Sequence, residues 1–278
     1  MDPRDHAKLE SAATAISQAD ALLITAGAGM GVDSGLPDFR GDKGFWKAYP
    51  PFERLGVSFI DMANPNWFAR DPELAWGFYG HRLQLYRDTE PHRGFNILKR
   101  WALGLEHGGF AFTSNVDGHF QQAGFKRDQV IECHGSISHL QCTEPCSNEI
   151  WNSHDLEVEV DMDSFRAVSE LPVCPRCGTL ARPNVLMFGD WHWIPGRTAE
   201  QERRFSDWLA RAAGPKLVIV ELGAGSAVPT VRMTSEQIAS RSGATLIRIN
   251  PREPQVRHGH VGLALEALEA LEAIDARL

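Results

Sequence analysis

Six apolar runs of strand length recur along the chain, and most are separated by segments with a helical pattern. The runs are ALLITAG, GFAFTSN, QVIECHG, NVLMFG, KLVIVELG and ATLIRIN, which begin at Ala21, Gly109, Gln129, Asn184, Lys216 and Ala244. Continuous apolar strands that alternate with helices are typical of a parallel sheet covered on both faces. The pattern therefore predicts an α/β fold, with a Rossmann-like parallel sheet and helices on both faces.

Helical patterns fit six segments, at residues 6–18, 72–87, 92–106, 198–213, 230–240 and 260–276. Two helices are expected to start at Asp71-Pro72 and Glu90-Pro91, because proline suits the first helical position. The last segment has leucines at positions 265, 268 and 271, a spacing of three that drifts around a helix. It predicts a terminal helix with a partly solvated face, not a coiled coil.

Two segments do not fit the alternation of strands and helices. Residues 41–92 are rich in aromatic side chains and predict a helical insertion that also continues the preceding glycine-bearing loop. Residues 140–182 carry cysteines, have few long apolar runs and predict a small separate module. The Rossmann-like domain would then consist of residues 1–40, 93–139 and 183–278.

The composition and net charge of the chain indicate which classes of binding partner suit it. The chain has 278 residues, 43 % of them hydrophobic and 23 % charged, and a formal net charge of −8. Such a charge disfavours nonspecific attraction to nucleic acid or to an anionic membrane, whereas a lysine-bearing peptide would suit it. No apolar stretch approaches the ~18 residues of a membrane span, and the first ten residues do not resemble a secretory signal. We therefore expect a cytoplasmic protein without nucleic-acid or membrane partners.

Four of the five cysteines form two close pairs, Cys142 with Cys146 in CTEPC and Cys174 with Cys177 in CPRC. Two tight cysteine pairs on either side of a longer arm predict one structural zinc ion bound by four thiolates. Four protein ligands leave no position for water, so this metal is expected to stabilise the small module and not to take part in catalysis. Cys133 lies outside both pairs.

Small, amide, acidic and imidazole residues follow the apolar runs. In an open parallel sheet, ligands bind in the crevice outside the carboxyl ends of the strands. Turns alone can account for such residues at any single strand end, but their recurrence after six runs favours a common site. The two glycine clusters suit a diphosphate-containing ligand, since glycine lets backbone amides approach phosphates. The strand-end residues are Gly27, Ala28, Gly29, Asn115, Asp117, His134, Gly189, Asp190, Gly223, Ala224, Gly225, Ser226 and Asn250.

His134 is the best candidate for a general base among the eleven histidines, because only its place in ECHGS puts it at this edge. A neutral imidazole near pH 7 can accept a proton from a sugar hydroxyl. Either Glu132 or the strand backbone would fix its tautomer.

These residues, in this order, resemble the sirtuin family of NAD-dependent protein lysine deacylases over roughly residues 20–265. The stretch from Gly27 to Arg40 resembles the family loop Gly-Ala-Gly-x-Ser-x-x-Ser-Gly-Ile-Pro-Asp-Phe-Arg. TSNVD resembles the family motif Thr-Gln-Asn-Ile-Asp, and His134-Gly135 matches its His-Gly dipeptide. Three further features match the family pattern: the two cysteine pairs, the Phe-Gly-acid turn at Phe188 and the Ile-Asn dipeptide that ends at Asn250.

The resemblance implies that NAD is consumed as a cosubstrate, that the acyl group of lysine moves to ADP-ribose and that nicotinamide is released. His134 would be the general base, Asn115 would order the ribose and a water, and Asp117 would line the nicotinamide pocket. Asp38 would lie above Asp117, Phe39 would shield the reacting centre from water, and Arg40 would lie near the phosphates. Phe188 and Gly189 would contact the acyl-lysine substrate. The other implied NAD contacts are Gly27, Ala28, Gly29, Ser114, Gly223, Ala224, Gly225 and Asn250.

WGFYGHR resembles the Trp-x-Phe-Tyr-x-x-Arg segment of sirtuins that prefer succinyl-, malonyl- and glutaryl-lysine. It places Tyr79 and Arg82 three apart on one helical face, where a phenol and a guanidinium could hold a terminal carboxylate. The alternative is an aromatic residue packed in the insertion and an arginine in solvent.

Three positions depart from the family pattern and bear on the affinity for NAD. Gly31 and Ser114 stand where the family has serine and glutamine, and Gly225 stands at the end of its Gly-Thr-Ser turn. Each lost side-chain hydrogen bond could cost about 1 kcal/mol. Two alternatives therefore stay open, an NAD hydrolase or mono-ADP-ribosyltransferase, and a weakly active NAD-sensing module. Retention of Asn115, Asp117 and His134 together favours an enzyme over a binding module.

Overall fold

The computed structural model describes residues 3–37 and 41–278, and a six-stranded parallel sheet lies at its centre. In chain order the strands are β1 (Ala21–Ala26), β2 (Gly109–Thr113), β3 (Val130–Glu132), β4 (Gly135–Cys142), β5 (Trp151–Asn152), β6 (Val160–Asp161), β7 (Arg166–Ala167), β8 (Ala181–Val185), β9 (Leu217–Leu222), β10 (Thr245–Ile249) and β11 (Val261–Leu263). The central sheet has the order β11-β10-β9-β1-β2-β3, and all of its pairs are parallel.

This strand order reverses beside β1. The chain runs from β1 outward through β2 to β3, and later from β9 outward through β10 to β11 on the other side. A topological switch point therefore lies between β1 and β9, which is where open α/β sheets bind their ligands. Every residue of β1 and β9 is buried, since helices cover both faces at the middle of the sheet.

Helices pack on both faces of this sheet, as the sequence predicts. In chain order the helices of the described residues are α1 (Pro3–Ser17), α2 (Gly41–Ala48), α3 (Pro50–Arg54), α4 (Phe59–Met62), α5 (Trp67–Arg70), α6 (Pro72–Asp88), α7 (Gly94–Leu103), α8 (His119–Gln122), α9 (Gly196–Ala212), α10 (Thr230–Ser242) and α11 (Ala267–Asp275), with 3-10 helices at Ala28–Ser34 and Arg127–Gln129. On one face, α1, α7 and α11 bury their apolar side chains against alternate residues of β1 and β9. On the other face, α9 and α10 cover the remaining alternate residues.

Three sequence expectations about elements are wrong. The run NVLMFG does not add a parallel strand, because the strand there is β8, which ends at Val185 and pairs antiparallel with β4 in the small sheet β5-β4-β8. The predicted helix at 260–276 combines two elements, since Val261–Leu263 pairs with β10 before α11 begins. Glu90-Pro91 does not start a helix, and α7 begins at Gly94. Asp71 does cap α6, accepting a hydrogen bond from the Leu74 amide at 3.3 Å, with Pro72 as the first residue.

The helical insertion and the cysteine-bearing segment share one hydrophobic cluster. Helix α6 meets the β6–β7 hairpin at Gly77, where an added Cβ would lie only 2.1 Å from the Phe165 carbonyl oxygen. The Phe165 ring packs between Tyr49 and Phe52, with ring centroids 5.2 and 5.4 Å away. Packing of the aromatic insertion therefore depends on the cysteine-bearing segment. The division into three domains stays a prediction.

Within the described part of the chain, no helix combines the length and the apolar character needed to cross a membrane.

Candidate functional site

The two glycine clusters touch each other at the switch point. The Gly27 amide donates to the Leu222 carbonyl at 3.0 Å, and the Gly29 amide donates to the Gly223 carbonyl at 3.1 Å. Gly223 has a φ of +60°, and a Cβ there would lie 2.4 Å from backbone atoms of Gly29 and Met30. Only glycine fits this approach of the loops that follow β1 and β9.

Two asparagines tie the neighbouring strands to these loops. Asn115, which follows β2, donates from Nδ2 to the Gly27 carbonyl at 3.0 Å. Asn250, which follows β10, donates from Nδ2 to the Ala224 carbonyl at 2.8 Å and is buried. Four strand ends therefore meet through residues that the sequence marks for NAD binding. A cavity of about 60 Å³ lies beside them, lined by Gly29, Val32, Gly223, Ile249, Pro251, Arg252, Glu266 and Ala267.

His134 follows β3 at the same edge and is half-buried. Burial lowers the pKa of its imidazole below the usual 6.5, and a hydrogen bond with the Ser114 backbone opposes this shift only in part. The ring is therefore neutral near pH 7 and able to accept a proton.

Of the two groups considered for fixing the His134 tautomer, the structure supports the backbone. The buried Glu132 carboxylate pairs instead with Arg197 of α9, and the Gln201 side chain donates to it at 3.4 Å. Glu132 therefore joins β3 to α9 and does not orient His134.

Asp117 lies two residues beyond Asn115 and is half-buried. Its Oδ1 accepts a 2.9 Å hydrogen bond from the His119 amide, which fixes the start of α8. The His119 ring is only 1 % exposed, and neither of its nitrogens has a hydrogen-bond partner among the described residues.

The structure describes the surroundings of some of the other predicted NAD contacts but not of all of them. Ala28 begins the 3-10 helix after β1, and the Ser114 amide donates to the Ala26 carbonyl at 3.1 Å. Gly225 lies beside the Glu253 carboxylate, which accepts hydrogen bonds from the Ser226 amide at 2.9 Å and hydroxyl at 2.7 Å. The Ser226 hydroxyl is thus already engaged within the protein. Three predicted residues lie outside the described part of the chain: Asp38, Phe39 and Arg40.

Helix α6 carries both residues predicted to recognise an acidic acyl group. Tyr79 is 1 % exposed and Arg82 is 6 % exposed, so neither points into open solvent. The guanidinium carbon of Arg82 lies 5.1 to 5.9 Å from the ring centroids of Phe78, Tyr86, Phe59 and Tyr79. Burial raises the pKa of Tyr79 to about 12, although Arg82 acts in the opposite direction. The solvent-exposed alternative for Arg82 is therefore excluded.

A buried ion pair anchors the Phe-Gly-acid turn, which spans residues 188–190. Both carboxylate oxygens of Asp190 accept from the Arg182 guanidinium at 2.8 Å, and both side chains are at most 1 % exposed. Gly189 adopts a φ of +68°, and the Phe188 ring is 38 % exposed. The ion pair thus fixes the turn, and the Phe188 ring lies partly exposed at its start.

The four paired cysteines come together, with all Sγ atoms within 4.8 Å of one another. The Sγ atoms of Cys142 and Cys177 are 3.7 Å apart, as are those of Cys146 and Cys174. A tetrahedron with zinc–sulfur distances of about 2.3 Å requires sulfur atoms about 3.8 Å apart, so the arrangement fits zinc. Cys133 stays outside, and burial raises its pKa to about 12.

Sequence reasoning missed two polar partners at this site. Tyr86 contacts Arg82 and lies four residues after it, so the helical spacing could have drawn attention to it. Arg182 was missed because nothing in ARPNV signals that a distant Asp190 completes a buried pair.

Residues 27–201 match the Sir2 family. The NAD-dependent protein deacylase of Aeropyrum pernix is 32 % identical to this chain over 259 residues, which are 92 % of this chain and 90 % of that protein. The NAD-dependent protein deacylase of Thermus thermophilus is 30 % identical over 266 residues, which are 94 % and 91 % of the two chains.

Solved structures agree with the sequence matches. A crystal structure of a Sir2 homologue in complex with NAD has a TM-score of 0.72 at 28 % identity, covering 96 % of this chain and 93 % of its own. A mutant Sir2 homologue in complex with ADP-ribose also has a TM-score of 0.72 at 28 % identity, covering 100 % and 96 %.

Proposed function

Because the chain belongs to the Sir2 family, we propose that it is an NAD-dependent protein lysine deacylase that transfers the acyl group to ADP-ribose and releases nicotinamide. Its partners are then acyl-lysine proteins or peptides. Relatives of comparable length are named NAD-dependent protein deacylases, which supports the deacylase part of this proposal.

One observation carries the proposal: two consecutive residues connect the candidate base to the glycine loop. The backbone of Ser114 forms a hydrogen bond with His134, and the side chain of Asn115 donates to the Gly27 carbonyl. A base held at a fixed position relative to a diphosphate-binding loop can act on a ribose that the same loop positions.

NAD, when bound, supplies the ribose carbon that accepts the acyl oxygen and the nicotinamide that leaves. His134 would take the proton of a ribose hydroxyl, because its lowered pKa keeps Nδ1 or Nε2 available as an acceptor. Asn115 would hold the ribose, and Asp117 would line the nicotinamide side. We retain Asp38, Phe39 and Arg40 as the proposed cover over the reacting centre.

We further propose a preference for succinyl-, malonyl- or glutaryl-lysine. A buried guanidinium surrounded by aromatic rings suits a terminal carboxylate, since charge-assisted hydrogen bonds are strongest where water is excluded. Tyr79 supports this proposal, because its buried hydroxyl has no hydrogen-bond partner among the described residues. The rigid turn at Phe188 and Gly189 would contact the lysine side of the same substrate.

Cys142, Cys146, Cys174 and Cys177 would bind one structural zinc ion. The ion would neutralise the thiolates and close the arm between the two pairs, and it would have no role in the chemical step. A reducing compartment such as the cytoplasm suits this site, because thiols there stay free to bind metal.

The test is to incubate the purified protein with NAD and peptides that carry acetyl-, succinyl-, glutaryl- or long-chain acyl-lysine, and to follow nicotinamide and O-acyl-ADP-ribose by mass. We expect both products in equal amounts and only when a peptide is present. Nicotinamide formed without peptide would instead indicate an NAD hydrolase, and ADP-ribose attached to protein would indicate a transferase. NAD binding without any product would leave a sensing module.

A further inference from the structure

His92 contacts the 3-10 helix Ala28–Ser34, which follows β1, at two points. The Nε2 atom of its imidazole donates to the Met30 carbonyl at 3.0 Å, and its backbone amide donates to the Ser34 hydroxyl at 2.9 Å. His92 is 8 % exposed and lies between α6 and α7. One buried residue from the connection of two helices therefore holds the loop that carries the first glycine cluster.

The hydrogen bonds of the His92 ring determine its tautomer. The Gly94 amide donates to Nδ1 at 3.1 Å, so Nδ1 carries no proton. The Met30 carbonyl can only accept, so Nε2 carries the proton. Burial lowers the pKa of the imidazole below the usual 6.5, which favours this neutral form near pH 7, although the bond to the Met30 carbonyl acts in the opposite direction. Both ring nitrogens are thus engaged within the protein, and the ring is fixed in one orientation.

Met30 lies where the two glycine clusters touch each other. Its amide donates to the Gly27 carbonyl at 3.0 Å, and the same carbonyl oxygen accepts the hydrogen bond from Asn115. An added Cβ on Gly223 would lie only 2.4 Å from the Met30 nitrogen. The amide side of Met30 therefore faces the contact between the clusters, and its carbonyl faces His92. A shift of Met30 would displace the backbone that is predicted to approach the diphosphate.

The 3-10 helix Ala28–Ser34 also has an anchor on α11. The Asp33 carboxylate accepts a 2.7 Å hydrogen bond from the Leu268 amide, in the first turn of that helix. Hydrogen bonds within a 3-10 helix have poorer geometry than those of an α-helix, so outside contacts matter more for its shape. Asp33 lies near the end of the 3-10 helix, whereas His92 contacts Met30 beside the glycines.

We propose that His92 is a positioning residue for NAD binding, which holds Met30 so that the loop after β1 keeps the shape that the diphosphate requires. This inference rests on the proposed use of NAD and adds a residue that maintains the binding loop. His92 would act through the Met30 carbonyl and need not touch NAD or the acyl peptide. Its loss should therefore weaken NAD binding and leave kcat and KM for the peptide nearly unchanged.

The test measures the dissociation constant of NAD by calorimetry on the full chain, with peptide kinetics at saturating NAD. His92→Leu removes the donor to Met30 and should raise Kd about tenfold, since a buried carbonyl is left without its partner. His92→Gln should stay within about threefold of the wild-type Kd, because its side-chain amide can donate to the same carbonyl. Ser34→Ala removes the second contact and should raise Kd about threefold.

His260→Leu is the matched control. The Nδ1 atom of His260 accepts a 3.2 Å hydrogen bond from the Leu246 amide, so this imidazole is also paired with backbone. Leu246 lies near the start of β10, whereas the predicted NAD contact Asn250 follows the end of that strand. The control variant should keep the wild-type Kd for NAD.

Three results overturn the inference: an unchanged Kd in His92→Leu, an equal rise in His260→Leu, or a His92→Gln variant that binds NAD as weakly as His92→Leu. If thermal unfolding shows that His92→Leu does not fold, Ser34→Ala decides, and an unchanged Kd in that variant overturns the inference. A wild-type protein that binds NAD but deacylates no peptide contradicts the proposed deacylase alone, because the comparison of Kd values still applies. A wild-type protein that does not bind NAD overturns both.

Discussion

The side-chain amide of Asn115 donates a 3.0 Å hydrogen bond to the carbonyl oxygen of Gly27, and so joins the end of β2 to the loop after β1. Asn115→Ala removes this donor and the amide proposed to hold the ribose. We expect KM for NAD to rise at least tenfold, since a hydrogen bond of about 1.4 kcal/mol corresponds to that factor. Nicotinamide release at increasing NAD concentration measures it.

The matched control is Asn96→Ala, at an exposed position of α7. It should leave KM for NAD unchanged. Equal effects of the two substitutions would argue against a role for Asn115 in NAD binding.

The central sheet could be predicted from sequence because its strands are buried on both faces. β1, β2 and β9 therefore read as uninterrupted apolar runs, and their order places the following glycines and amides at one edge. β8 could not be predicted in the same way. All five residues of its sequence ARPNV are buried although two of them are polar, because Arg182 and Asn184 form hydrogen bonds with Asp190 and Gln141.

The surroundings of Tyr79 and Arg82 could also be predicted only in part from the sequence. Helical spacing brings Tyr79 and Arg82 to one face of α6, which a sequence can reveal. It cannot reveal that Arg82 is buried among aromatic rings from α4 and α6, because that burial depends on how the insertion packs. Likewise, the packing of Phe165 from the cysteine-bearing segment onto Tyr49 joins parts far apart in the chain.

The rate of deacylation is expected to decrease toward acid pH with a midpoint below 6.5. Burial lowers the pKa of His134, and the hydrogen bond with the Ser114 backbone offsets this only partly. The base must be neutral, so activity is full above its lowered pKa and is lost as the pH falls through it. A profile of kcat/KM between about pH 5 and 8 measures this midpoint.

His134→Ala should decrease kcat by a factor of about 10² to 10⁴. NAD binding, measured by calorimetry, should change much less, because the imidazole is assigned a role in proton transfer. Unchanged turnover in this variant would overturn the assignment of His134 as the base.

Native protein should contain one zinc ion per chain, and Cys174→Ala should remove it. The Sγ atoms of the four paired cysteines lie within 4.8 Å of one another, so the loss of one ligand opens the tetrahedron. Loss of metal should also raise KM for acyl peptides, because Phe165 of the same segment packs against the insertion that contains α6. Elemental analysis and peptide kinetics measure these two effects.

Cys133→Ala supplies the control, since Cys133 lies outside the cluster. This variant should keep its zinc. A native protein without zinc, or with zinc retained in Cys174→Ala, would contradict the proposed ligand set.

Asp190→Asn is expected to lower the free energy of unfolding by about 3–5 kcal/mol. It replaces one carboxylate of a fully buried pair and leaves the Arg182 charge uncompensated. Asp71→Asn is the matched control, because Asp71 forms a similar two-bond pair with Arg166 at the surface. Asparagine remains a good helix cap, so this change should cost about 1 kcal/mol or less. Urea unfolding measures both values, and equal costs would contradict the difference in burial.

Gly31→Ser is expected to decrease KM for NAD by about five- to tenfold, because the resembled family carries a serine there and one added hydrogen bond contributes about 1 kcal/mol. The position can accept a side chain: an added Cβ would lie 2.9 Å from Cδ1 of Leu36, the far end of a flexible side chain, and the φ of Gly31 is not in the left-handed region. Gly223→Ala is the contrasting change, since its φ of +60° and its 2.4 Å approach to backbone of the neighbouring loop force the two loops apart. We expect that variant to lose NAD-dependent turnover. If Gly31→Ser instead raises KM for NAD, the glycine is required by the loop packing of this protein, and the comparison with the family serine does not apply to its NAD site.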